Sequence, residues 1–146
     1  HRAELAKQWA EADLVVTSYD LLRRDEEGFY YLVDRKKDMI KTGGENVYAQ
    51  EVEDVLRNHP SIFDCALIGV DDERFGEAVA AAIVLNPGCT LSDEELIAYC
   101  RANLPSYKKP RYVAFVDELP HNVTGKIQKS VLRENADKLF RPVRGL

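Results

Sequence analysis

The sequence predicts an α+β fold: a small mixed or antiparallel sheet with helices packed on it, preceded by a β-hairpin. Three observations carry this. Strand-like and helix-like runs mix along the chain without the strict βαβ alternation of a parallel α/β protein. Helical spacing with its own start or stop signals recurs at 49–58 and from Ser92 to Leu104. A chain of 146 residues, 45% of them hydrophobic, can bury one core, so one domain is the natural expectation.

In order along the chain, residues 2–12 place Leu5, Trp9 and Ala12 on one side of a short helix, and Leu14-Val15-Val16 follows as a strand. Arg23–Gly28 is a charged turn. Phe29–Val33 is aromatic and β-branched, as strands prefer, and Asp38–Thr42 is expected to be its hairpin partner, ending at Gly43-Gly44. Residues 49–58 form a helix whose Val52, Val55 and Leu56 share a face, stopped by Asn58-His59-Pro60. Two strands follow, around 62–70 and 78–85, separated by the acidic loop Asp71–Gly76. Ser92 with Glu95 three residues later is a capping box, and Leu91 with Leu96 can staple the same helix start. That helix buries Leu96, Cys100 and Leu104 and ends before Pro105. Tyr112–Val116 is a strand, residues 127–139 a final helix, and the helices are expected on one side of the sheet.

Composition excludes several classes. The net charge of −5 with ample apolar content argues against a disordered chain and against a bulk-basic nucleic-acid binder. No run approaches the ~18 apolar residues of a membrane span. Cys65, Cys89 and Cys100 are odd in number and lack C-x-x-C spacing, so they read as reduced, intracellular thiols rather than a disulfide or zinc framework; no metal site is expected, and a cytoplasmic compartment is. The charge is uneven: residues 1–100 hold 10 Lys/Arg against 21 Asp/Glu, and residues 101–146 hold 10 against 4. A basic last third on an acidic chain suggests a local anion site, its plain alternative being a solvated basic face.

Three segments exceed what pattern requires. Asp34-Arg35-Lys36-Lys37-Asp38 puts an arginine fork at a strand end, suited to an anion or diol, although a charged turn would read the same. Lys41-Thr42-Gly43-Gly44-Glu45-Asn46 lets a ligand approach the backbone closely, or is an ordinary turn. Asn122-Val123-Thr124-Gly125-Lys126 offers a lysine to a phosphate or a developing negative charge. It is not a Walker loop, because position 120 is Pro and Ile127 follows the lysine.

In this order and spacing, the segments resemble the C-terminal lid domain of the adenylate-forming superfamily, most closely its acyl-CoA synthetases. The similarity spans Asp20–Arg133. It is carried by Asp20-Leu21-x-Arg23, Asp34–Val47, Glu51-Val52-Glu53, Asp72–Glu77, Tyr107-Lys108-x-Pro110 and Leu119-Pro120-x-Asn122-x-Thr124-Gly125-Lys126. The resemblance implies a domain at 20–146 that swings between two orientations against a large N-terminal domain. One orientation serves activation of a carboxylate by ATP, with Mg2+, to an acyl-adenylate; the other serves transfer to the CoA thiol.

By the same resemblance Lys126 is the adenylation lysine, which relatives can acetylate. Arg35 and Asp20 are partners of the AMP ribose, and Lys37 is the hinge. Gly43 and Gly44 line the pantetheine path, and Tyr107, Lys109 and Arg111 lie where relatives meet the nucleotide end of CoA. Alone, the chain is expected neither to turn over substrate nor to hold these ligands tightly.

The pattern is broken at Tyr19, where the family carries glycine, and at Ala49, where proline is common. Residues 1–19 fall outside it. Residues 12–24 resemble instead a short stretch of Swi/Snf-type DNA translocases, too brief to carry function, which suggests a fusion whose extra strand pairs with a sheet edge within or between chains. The alternative function is a stand-alone binding or interaction domain with an idle or weak CoA/AMP site.

Overall fold

The computed structural model describes residues 13–16 and 20–146. The helix expected at 2–12 lies outside them. The N-terminal part is a three-stranded antiparallel sheet of β1 (Asp13–Val16), β2 (Asp20–Arg24) and β3 (Tyr30–Arg35), in the order β1-β2-β3. Thus the Leu14-Val15-Val16 strand pairs within the chain, against Leu21, Leu22 and Arg23 of β2.

The expected pairing of Phe29–Val33 with Asp38–Thr42 is not formed. β3 pairs with β2, and a 3-10 turn at Lys36–Asp38 separates it from β4 (Met39–Thr42). β4 instead folds back on β5 (Glu45–Tyr48) through Gly43-Gly44. The reason is local. Two glycines with φ of +56° and +87° make the tight reversal that two-residue hairpins require, so β4 meets the strand after it before the one preceding it.

The core is built on a four-stranded mixed sheet, in the order β6-β7-β8-β9: β6 (Ile62–Asp72), β7 (Gly76–Leu85), β8 (Tyr112–Phe115) and the two-residue β9 (Arg141–Pro142). β6–β7 and β8–β9 are antiparallel, and β7–β8 is parallel. Helices cover both faces, not one. Cys65, Leu67, Val79, Ala81 and Ile83 join Ile40, Val47, Val52, Leu56, Leu96 and Cys100, from the β4–β5 hairpin and the helices α1 (Ala49–Arg57) and α2 (Asp93–Asn103). Their alternates Ala66, Ile68, Ala80 and Ala82 pack with Leu119, Ile127, Leu132 and Ala136 on the other face. A strand buried on both sides shows a continuous apolar run, as Cys65–Ile68 and Ala78–Ile83 do, and such a run does not say that two layers cover it.

The predicted caps are present. Ser92 accepts from the Glu95 N–H while Glu95 accepts from the Ser92 N–H at 2.8 Å. Leu91 and Leu96 are buried together. The helix expected over 127–139 is two short ones, α3 (Lys129–Glu134) and α4 (Ala136–Leu139), broken at Asn135. The Asn135 side-chain amide donates to the Val131 carbonyl at 2.9 Å, taking an acceptor from the helical ladder.

Two polar details fix the layers. Along the outer edge of β6, which α1 covers, Glu53 accepts from the Leu67 N–H at 2.8 Å and Arg57 donates to the Cys65 carbonyl at 3.0 Å, so edge groups that could template another strand are satisfied. Glu77 crosses over Gly69, where an added Cβ would fall 1.9 Å from its Oε1, and accepts from the Lys41 N–H at 2.6 Å. This ties the β4–β5 hairpin to β7.

The C-terminal strand is held electrostatically. Buried Asp93, in the first turn of α2, accepts from both Arg141 terminal nitrogens at 2.7 and 2.8 Å and from the Arg144 N–H at 2.7 Å. The Arg141 bonds outweigh burial and hold the Asp93 carboxyl down at about 2, against an ordinary 3.8. A depressed carboxyl stabilises the fold fully above its unfolded value and loses that contribution as pH falls through its folded value. Asp93→Asn is therefore expected to cost stability evenly from pH 7 to about pH 4. The gap to the parent chain should close between about pH 4 and pH 2, as measured by urea unfolding across that range.

Candidate functional site

The loop 120–128 owes its shape to one side chain. Asn122 Oδ1 accepts from the Thr124 N–H at 3.0 Å, the Thr124 hydroxyl at 2.7 Å and the Lys126 N–H at 2.9 Å. Asn122 N–H donates to the Lys126 carbonyl at 2.9 Å, and Gln128 N–H to the Pro120 carbonyl at 2.7 Å. Asn favours such side-chain-to-backbone turns because its carbonyl sits at the right reach for the next amides. The result is a closed loop anchored below by buried Leu119 and half-buried Ile127, with Lys126 exposed on it.

Lys126 lines an open groove of about 440 Å³ together with Lys37, Asp38, Glu53, Lys129 and Arg133. The sequence separates Lys37 from Lys126 by most of the chain, and the fold brings them to one groove. Two ion pairs brace it: Lys129 Nζ to Glu53 Oε1 at 2.7 Å, and Arg133 Nη2 to Asp38 Oδ1 at 2.8 Å. Next to it along the chain, the β2–β3 register sets Asp20 directly opposite Arg35. The two residues expected to share one diol are thus cross-strand neighbours.

A second group gathers around Phe75, in the turn between β6 and β7. The Gly43 N–H donates to the Phe75 carbonyl at 3.1 Å, and the Arg111 guanidinium lies over the Phe75 ring, 4.0 Å from its centroid. Asp72 fixes the turn that presents Phe75. Its Oδ1 accepts from the Arg74 and Phe75 N–H groups at 2.9 and 3.0 Å, and its Oδ2 from the Tyr112 hydroxyl at 2.9 Å. Gly44 has no atom within 4 Å of the position a Cβ would take, so its outer side faces open space.

Tyr107 and Lys109 are placed apart from this stack. The Tyr107 ring lies beside the Lys108 ammonium, 5.6 Å from centroid to Nζ. Lys109 approaches Cys100, whose thiol burial pushes up to about 11 against the pull of that charge. Lys108 itself is buried and bonds both Glu51 carboxylate oxygens at 2.7 Å, fastening the segment to α1. Breaking such a buried pair leaves an uncompensated charge.

Phe75, Asn122, Asp38 and Glu53 fall inside segments quoted from the sequence, but neither they nor the partners Lys129 and Arg133 received a role of their own there. The Asn-x-Thr-Gly spacing is a turn signal that points to Asn122. Nothing local marks the others, because their partners come from distant elements. Burial raises the Cys65 thiol to about 12, so neither it nor Cys100 is a thiolate at neutral pH. Among the described residues no group of three His, Cys, Asp or Glu side chains is placed to hold a metal ion, and no helix is long and apolar enough to cross a membrane.

The family model for the AMP-binding enzyme C-terminal domain matches residues 51–126. The medium-chain acyl-CoA ligase ACSF2 of Rattus norvegicus, named as mitochondrial, is 44% identical over 119 residues, covering 82% of this chain and 19% of that protein. The crotonobetaine/carnitine–CoA ligase of Escherichia coli is 44% identical over 123 residues, covering 84% and 24%. ATP-bound MatB from Rhodopseudomonas palustris superposes with a TM-score of 0.78 at 38% identity, over 83% of this chain and 24% of that one. The chain thus spans about a fifth to a quarter of the length of these relatives, matching their C-terminal portion. With just over half of its residues inside the family match, and acyl-CoA synthetases as its relatives, the chain belongs to the family of AMP-binding enzyme C-terminal domains.

Proposed function

We propose that residues 20–146 serve as the lid of an ATP-dependent acyl-CoA synthetase, with residues 1–19 a separate N-terminal segment. The large N-terminal domain supplies the acyl pocket and most of the ATP site. One observation supports the reading most directly: the Lys126 loop and Lys37 share a groove, while Gly43 and Arg111 converge on Phe75, outside that groove's lining. A domain that presents one face per half-reaction needs two such groups and a pivot.

In this reading Lys126 contacts the carboxylate and the α-phosphate, offsetting charge as pyrophosphate leaves. Mg2+ arrives with ATP, neutralising phosphate charge. Arg35 and Asp20 hold the AMP ribose. Gly43 and Gly44 leave room for pantetheine, and Arg111, with Tyr107 and Lys109 nearby in sequence, meets the nucleotide of CoA. The cytoplasm is the proposed compartment, and the chain by itself is inactive. β1 already pairs with β2, so self-association through this segment would use its other edge.

The test grafts this chain in place of the C-terminal domain of Rhodopseudomonas palustris MatB and follows ATP–pyrophosphate exchange and CoA thioester formation separately. Recovery of both supports the lid. Recovery of neither, with CoA or AMP still bound by the free chain in a titration, favours the binding-domain alternative. Lys37→Pro in the active graft is expected to hold one orientation, abolishing one half-reaction at least tenfold more than the other.

A further inference from the structure

Helix α3 begins three residues after Lys126 and carries two cations one turn apart, Lys129 and Arg133, which therefore share a face. Their acidic partners belong to different elements. Lys129 pairs with Glu53, which also caps the β6 edge at Leu67, so the first turn of α3 is pinned to α1 and β6. Arg133 pairs with Asp38, at the end of the 3-10 turn and one residue beyond Lys37. The Asp38 side chain is only 12% exposed, so solvent screens this pair less than a surface one. Lys37 is exposed.

We propose that Asp38 and Arg133 are positioning residues that set where the hinge turns. Their ion pair makes everything from Asp38 onward one body with the Lys126 loop, leaving the rotation to the backbone before it. This rests on the reading of the chain as a moving lid. Without the pair, the end of the 3-10 turn is released from α3, rotation spreads into residues 38–39, and Lys126 arrives with a wider range of orientations. The ribose contacts assigned to Asp20 and Arg35 precede the hinge and are untouched. The loss falls on the Lys126 contact that strengthens as charge develops, so the defect appears in kcat and not in KM.

The test has two arms. In the 146-residue chain itself, Arg133→Met is expected to speed amide hydrogen exchange at residues 37–39 by about three- to tenfold while exchange in β6 and β7 stays unchanged. In the MatB graft the same substitution lowers the kcat of the overall reaction about tenfold with KM for ATP unchanged. The exchanged pair Asp38→Arg with Arg133→Asp restores both measurements in large part. Unchanged exchange at 37–39, or an exchanged pair no better than Arg133→Met, overturns the proposal. If the unmodified graft is inactive, the lid reading fails, and the exchange arm still decides whether the pair fixes the turn. Should Arg133→Met fail to fold, Asp38→Asn, nearly the same shape, carries the same measurements.

Discussion

Lys126→Ala, in an enzyme carrying this lid, is expected to slow acyl-adenylate formation by about 10²–10³-fold, the range for removing one pre-aimed electrostatic donor. Thioester formation from preformed acyl-adenylate should stay within a few-fold of the parent. The asymmetry follows from where charge develops. Displacement of pyrophosphate builds negative charge around the α-phosphate and the attacking carboxylate, whereas in the proposed reading thiol attack uses the other orientation of the lid. Stability should barely change, since the Lys126 side chain is exposed and the loop is held by its backbone and Asn122. Pyrophosphate exchange and single-turnover thioester formation, measured on the same preparation, give the ratio. Equal loss of both half-reactions would remove Lys126 from the adenylation step.

Gly44→Val is expected to do the reverse, lowering thioester formation by more than about 10²-fold while sparing adenylation. Two effects combine there. The backbone holds φ at +87°, a region costing a β-branched residue on the order of 1–3 kcal/mol. That strain should lower the melting temperature but touch both half-reactions alike. The selective effect comes from the side chain, which would project into the open space on the outer side of the turn, where the pantetheine arm passes in the proposed reading. Gly43→Ala is the internal comparison: its Cβ would fall 3.1 Å from the Phe75 ring, against the lid's own stack. It should therefore cost stability with a smaller bias between half-reactions. A fall in adenylation equal to the fall in thioester formation would assign Gly44 to folding alone.

Much of the framework is legible in the sequence. Ser92 and Glu95 announce α2, Asn58-His59-Pro60 ends α1, and the apolar runs around Cys65–Ile68 and Ala78–Ile83 mark the central strands. These are short-range signals, fixed by a few neighbouring residues whose backbone groups need partners. The family-like motifs likewise point to Arg35, Lys37, Gly43, Gly44 and Lys126 without a fold, whereas the strand carrying Asp20 was missed, its Arg23 and Arg24 reading as part of a charged turn. Pairing of strands was harder. The Asp38–Thr42 strand found β5 and not β3, since a two-glycine turn closes a hairpin at little entropic cost and competes well with any more distant partner.

Covering of both sheet faces could not be read, because an apolar run buried on two sides carries no alternation to report it. The final helix divided where the Asn135 side chain competes for a backbone acceptor, a choice hidden from apolar spacing.

By itself, then, the sequence determined the α+β class, the caps, the thiols kept in the core and the identities of the chemically able residues, all of which rest on residue type and near neighbours. Only the tertiary structure decided which of them stand together. Lys37 meets the groove of Lys126, Arg111 finds Phe75, and Arg133 reaches Asp38 across 95 positions of chain. Coulombic and stacking contacts act over a few ångströms of space and are indifferent to sequence distance. They come into being only once the hydrophobic layers have set each element's place.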